Sequence, residues 1–189
     1  MPFVSFLPDD AGMGEISMIR PEQMGPFTQL AQVLMRGPSS FTEGERELIA
    51  AFVSSTNDCP YCVGCHAATA SHFDVPESTL QALASDFESA PVDERMRPVL
   101  RYVEKLTKTP YRMTQEDADA VHAAGWDELA LSDAVLICGL FNMANRVVEG
   151  HGVDRATPKE KFEEAGQWLA EFGYQTPGHE GEPGTGGRV

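Results

Sequence analysis

The chain has 189 residues, 42% of them hydrophobic and 23% charged, which suits one folded domain able to bury a core. Its 29 acidic and 14 basic side chains leave a net charge of −15, which repels phosphate backbones and argues against a nucleic-acid partner. The longest apolar run, residues 134–141, falls far short of the roughly 18 needed to cross a bilayer, and the N-terminus turns acidic at Asp9-Asp10 without the basic start of a secretory signal, so a cytoplasmic protein with no membrane partner is expected.

Every periodic segment reads as helix. A first helix is predicted over residues 22–36 and stops at Gly37-Pro38. A second starts at Thr42, where Thr42-x-x-Glu45 forms a capping box, and carries Leu48, Ile49, Phe52 and Val53 at helical spacing. A short third helix is expected from Asp58 as N-cap, with Pro60 just inside, to about His72. Pro76 opens another through Leu80, Leu83 and Phe87, and a longer one spans residues 93–108 with Val99, Tyr102, Val103 and Leu106 inward. Thr114 begins a short helix that Gly125 ends. Residues 131–149 are apolar on most sides, which suggests the domain centre or a subunit interface. Thr157-Pro158 starts a last amphipathic helix bearing Phe162, Trp168, Leu169 and Phe172. Residues 176–189 are rich in Gly and Pro and are expected to be a disordered tail behind a domain of residues 1–175. No period-2 strand is evident, so the expected fold class is all-α.

Chemistry concentrates in Cys59-Pro60-Tyr61-Cys62-Val63-Gly64-Cys65-His66. Two nearby thiols can hold a disulfide in one redox state and a nucleophilic thiolate in the other. At about 100° per residue, Cys59, Cys62 and His66 share one stripe of a helix, with Cys65 at or beyond its edge. Free N–H groups and the dipole of the first turn are expected to lower the thiol pKa there. Glu43 and Glu45 are explained by the cap, but Glu47 is flanked by Leu48, Ile49, Ala50 and Ala51. A carboxylate so placed could accept a proton from His66 or a thiol. Asn142, Asn145 and Arg146 are read as subunit contacts, and Cys138 as a core residue.

Three other readings compete for the array. Cys62-Val63-Gly64-Cys65-His66 is a literal c-type haem attachment string, but that chemistry follows export. Cys59-Pro60-Tyr61-Cys62 matches the glutaredoxin string, which needs a strand before it, where a helix pattern stands. Three ligands on one stripe cannot easily surround a zinc ion. The expectation is therefore no metal and no cofactor.

The pattern Glu47-x11-Cys59-x2-Cys62-x3-His66 resembles the alkylhydroperoxidase D core, within the carboxymuconolactone decarboxylase-like superfamily. Phe141-Asn142-Met143-Ala144-Asn145-Arg146-Val147-Val148-Glu149-Gly150, followed by Gly152-Val153, is similar to this family's ending, so the resemblance covers residues 15–154. The extra Cys65 before His66 is similar to the branch called peroxidase-related proteins. This resemblance implies a compact multi-helix fold with the C-x-x-C at a helix N-terminus, a homo-oligomer (dimer, trimer or hexamer), and thiol-dependent reduction of alkyl hydroperoxides. It further implies that Cys62 attacks the peroxide, Cys59 resolves the sulfenic acid as a disulfide, and Glu47 and His66 relay protons. An external dithiol, of thioredoxin or lipoyl type, would restore the pair. Tyr61 stands where some members carry a second histidine, and with Cys65 it is an accessory candidate. A non-enzymatic redox sensor or oligomeric assembly protein is the alternative, suggested by the acidic surface and the broad apolar helix. Decarboxylase chemistry of the wider superfamily is disfavoured, because members with that chemistry generally lack the C-x-x-C.

Overall fold

Helices begin where the capping signals lie. The computed structural model describes residues 2–153 and 157–175, among which there are nine α-helices, one short 3-10 turn (Pro110–Arg112) and no strand. The helices are α1 (Met13–Ile19), α2 (Pro21–Arg36), α3 (Glu43–Thr56), α4 (Pro60–Ser71), α5 (Glu77–Ser85), α6 (Met96–Lys108), α7 (Gln115–Ala123), α8 (Glu128–His151) and α9 (Lys159–Phe172). The expected tail, residues 176–189, lies outside the described residues. The predicted box at Thr42 is present: the Glu45 N–H donates to Thr42 Oγ1 at 3.2 Å and the Thr42 N–H to Glu45 Oε2 at 2.7 Å.

The central element is α3, not the longer and more apolar α8. Every residue from Arg46 to Ser54 is buried, because α4, α6 and α8 pack around α3. By length and composition α8 could span a membrane, yet it packs one stripe, including Ala130, Ala134, Ile137, Phe141 and Val148, into the core. Its opposite face leaves Leu129, Leu136 and Met143 exposed. The sequence reading missed α1, a seven-residue helix whose N-cap is Gly12 rather than Ser, Thr, Asn or Asp.

Two placements set up the site. The N-terminal segment and the end of α8 build a second apolar cluster, Leu7, Ala11, Ile16, Val148 and Val153, around Cys59 and Cys62. On the other side, α9 lies directly on α4. A Cβ at Gly166 would come within 2.7 Å of the Ala68 backbone carbon, so only glycine permits this approach.

Candidate functional site

The turn from α3 into α4 positions the first thiol. Asp58 has φ +53°, in the left-handed region. Its N–H donates to Ser55 O and the Cys59 N–H donates to Ser54 O, both at 3.0 Å. These are the paired bonds of a Schellman ending of α3. Cys59, rather than the expected Asp58, is therefore the N-cap of α4, and its side chain makes no cap bond. Asn57 secures the turn from below, donating to Asn145 Oδ1 at 2.8 Å and Asn142 Oδ1 at 3.1 Å, while Asn145 donates to Ser54 Oγ at 3.0 Å. Asn142 and Asn145, expected at a subunit contact, thus bond within the chain. Arg146 likewise donates to Asn142 O at 2.7 Å.

The Cys59 and Cys62 sulfurs lie 2.7 Å apart, with the Cys59 thiol donating. Both are free and buried, at 0% and 4% exposure. The expected lowering of a thiol pKa by the helix N-terminus does not hold at Cys59. Its bond to Cys62 and its burial push it far above the ordinary thiol range. Cys65, one turn further on, is pushed up to about 12 by burial. Tyr61 is pushed up by burial too. Its hydroxyl accepts from the Met13 N–H at 3.1 Å and bonds to Cys65, tying α4 to α1.

His66 reaches the carboxylate predicted for it. Its Nδ1 lies 2.9 Å from Glu47 Oε2, and both side chains are buried. Burial alone would raise Glu47. The His66 hydrogen bond and charge, joined by Arg36, outweigh it and hold the carboxyl below its ordinary value. An ionised carboxylate only accepts, so Nδ1 carries the proton between them. The Phe141 ring meets the imidazole edge to face at 4.4 Å and limits its rotation.

Two participants escaped the sequence reading. Arg36 Nη2 donates to Glu47 Oε1 at 2.8 Å, and its guanidinium stacks between Phe73 and Tyr174 at 5.0 and 5.2 Å. The Tyr174 hydroxyl donates across both Glu47 oxygens, at 3.0 and 3.1 Å. Arg36 had one legible signal, a cation in the last turn of a helix, but that is satisfied by the helix dipole alone.

A cavity of about 260 Å³ opens against this cluster. Cys62, Cys65, His66 and Tyr174 line it, with apolar walls from Phe27, Phe141, Ala144, Trp168 and Leu169. Cys62 and His66, four residues apart, share a helix face as expected. Cys65 joins them on the cavity, contrary to its predicted position at the stripe's edge. Cys59 does not line this cavity. It lies outside the helical dihedrals (φ −104°, ψ 88°), so the helical wheel misplaces it. It meets the site through Cys62.

An all-helical protein carrying a cysteine pair at the mouth of one helix, backed by a buried histidine–carboxylate pair, is the class these features define. The family model described as Carboxymuconolactone decarboxylase family matches residues 21–105, a span that holds Glu47, Cys59, Cys62 and His66. Two solved structures are similar. One is an uncharacterized peroxidase-related protein from Silicibacter sp. TM1040, 27% identical, with a TM-score of 0.72 over 79% of this chain and 77% of that one. The other is an alkylhydroperoxidase AhpD core, an uncharacterized peroxidase-related protein from Ralstonia eutropha JMP134, 25% identical, with a TM-score of 0.72 over 80% of this chain and 78% of that one. No curated protein matches the sequence. The family model and the two solved structures together support the AhpD/carboxymuconolactone decarboxylase superfamily for this chain.

Proposed function

We propose that the protein is a thiol-dependent peroxidase that reduces organic hydroperoxides through Cys62 and Cys59. The observation that carries this reading is the 2.7 Å contact between the two sulfurs, one of which lines the same cavity as His66. The bond to Cys62 and burial hold Cys59 protonated, which leaves Cys62, on the cavity wall, as the attacking sulfur. His66 Nε2 takes the Cys62 proton. Thiolate attack on the terminal oxygen breaks the O–O bond, and the proton on His66 passes to the departing alkoxide. The products are an alcohol and a Cys62 sulfenic acid. The Cys59 sulfur then displaces the hydroxyl, which leaves as water with the Cys59 proton, and a disulfide closes. An external dithiol, supplying two electrons and two protons, restores both thiols.

Free thiols are titrated before and after an equimolar amount of tert-butyl hydroperoxide. Wild type is expected to lose two thiols per chain, and Cys62→Ser none through this route. Unchanged thiols in wild type, or equal loss in Cys62→Ser, refute the assignment. A second reading, a redox sensor that assembles with copies of itself, is favoured by the exposed Leu129, Leu136 and Met143 stripe on α8. Turnover with a recycling dithiol separates the two, since a sensor oxidises once and stops.

A further inference from the structure

We propose that Tyr174 is a positioning residue for His66, acting through the Glu47 carboxylate from a segment beyond the span the family model matches. The inference rests on the reading of His66 as the base that serves Cys62.

Tyr174 stands in an unusual place for an active-site residue. It follows the last described helix and reaches back to α3 and α4. Gly173 makes the reversal possible: its φ of +71° and ψ of −152° belong to a region essentially restricted to glycine. The Tyr174 N–H then donates to Gln32 Oε1 at 2.7 Å, which pins the segment to α2. The ring covers the Arg36 guanidinium. The hydroxyl arrives almost equidistant from the two Glu47 oxygens and 3.4 Å from His66 Nδ1.

That position divides the carboxylate among three donors. Arg36 holds Oε1, His66 holds Oε2, and Tyr174 sits between them. Rotation of the carboxylate would break at least one of these bonds, so Oε2 stays aimed at Nδ1. The imidazole is thereby fixed as the Nδ1–H tautomer, with Nε2 available to Cys62. Burial keeps the Tyr174 hydroxyl far above its ordinary pKa, so it is a neutral donor throughout the pH range of an assay. The other groups facing His66 are Glu47 from α3, Arg36 from α2, and Cys62 and Cys65 on its own helix, while α8 presents the Phe141 ring.

Tyr174→Phe removes the hydroxyl and keeps the ring over Arg36. The carboxylate then loses one of its three donors, and more of its charge bears on the proton it shares with His66 Nδ1. The rate of Cys62 alkylation by iodoacetamide, read by peptide mass spectrometry across the neutral pH range, and the rate of oxidation by tert-butyl hydroperoxide are measured together with the melting temperature. The expected result is a loss of about tenfold in both rates, the low end of what removing the orienting partner of a metal-bound histidine costs. The acid limb of the alkylation profile moves to higher pH, and the melting temperature stays close to wild type. Gly173→Ala, which keeps the hydroxyl but places a methyl against Gln32, is expected to reproduce the rate loss by displacing it. Wild-type rates with an unmoved acid limb in Tyr174→Phe overturn the proposal. A fall in melting temperature with an unmoved limb also overturns it, by showing a structural latch only. Should wild type consume no hydroperoxide, the peroxidase reading falls, while the alkylation profile still decides the role of Tyr174.

Discussion

Replacing Glu47 with glutamine tests the heart of the site. The carboxylate has two acceptor oxygens, and Arg36 and His66 each hold one, at 2.8 and 2.9 Å, with Tyr174 spanning both. An amide offers one acceptor oxygen and one NH₂. Whichever way that amide turned, either Arg36 or His66 would face another donor. Arg36 has little recourse, because its side chain is 8% exposed and its Nε already lacks a hydrogen-bond partner. Removing one member of a buried ion pair costs about 3–5 kcal/mol. For a chain of this size each kcal/mol shifts the melting temperature by about 2–4 °C, so Glu47→Gln should melt about 10 °C lower. The carboxyl is held below its ordinary value, so its contribution is present above the unfolded carboxylate range, about pH 4.3, and is lost as pH falls through the folded value. The gap between wild type and Glu47→Gln should therefore close in acid. The assay is thermal unfolding of the reduced proteins by circular dichroism at pH 7 and along an acid series. Arg36→Met/Glu47→Leu, which removes both charges, should recover much of the loss. A Glu47→Gln protein melting within about 2 °C of wild type at pH 7 would refute the reasoning.

Cys65, pushed up to about 12, should react with iodoacetamide about a hundredfold more slowly than an ordinary thiol at pH 8, with the rate still climbing at pH 9; mass mapping of the labelled peptide reads this. At the α3–α4 turn, Asp58→Gly should exceed Asp58→Ala in stability by about 1 kcal/mol in urea unfolding, because both lose the side chain but only glycine is unstrained at φ +53°. Gly166→Ala should cost about 1–3 kcal/mol in the same assay, since the Ala68 backbone cannot yield as a side chain could.

What the sequence made legible was local. The Thr42 box, the Pro60 start and the four-residue spacing of Cys62 and His66 each depend on neighbours within one turn. Glu47 was found by subtraction, as the one carboxylate in its helix with no cap to serve. Asp58 shows where local logic divides: the residue suits an N-cap and a left-handed helix ending almost equally, and the bonds to Ser54 and Ser55 decide for the ending. Arg36 and Tyr174 were illegible for another reason. Their partner Glu47 lies 11 and 127 residues away, and neither segment carries a motif that says so. Tyr174 stands just before a Gly/Pro-rich stretch, where periodicity gives no guide.

Two arginines with largely covered side chains place their charge in different settings. Arg46 directs its donors to backbone carbonyls, Leu34 O at 3.0 Å and Gly37 O at 2.8 Å, and so closes the connection between α2 and α3. That role is architectural, and it satisfies the carbonyls left over at a helix end. Arg36 also bonds Leu169 O at 2.9 Å, but another of its contacts is a wholly buried carboxylate that bears a histidine. Packing does not require such a cluster, because well-packed apolar residues of similar volume would hold α2, α3 and α4 together as well or better. A fold that keeps three ionisable groups out of water beside a cysteine pair accepts a stability cost, which is the pattern of a functional site rather than of packing alone.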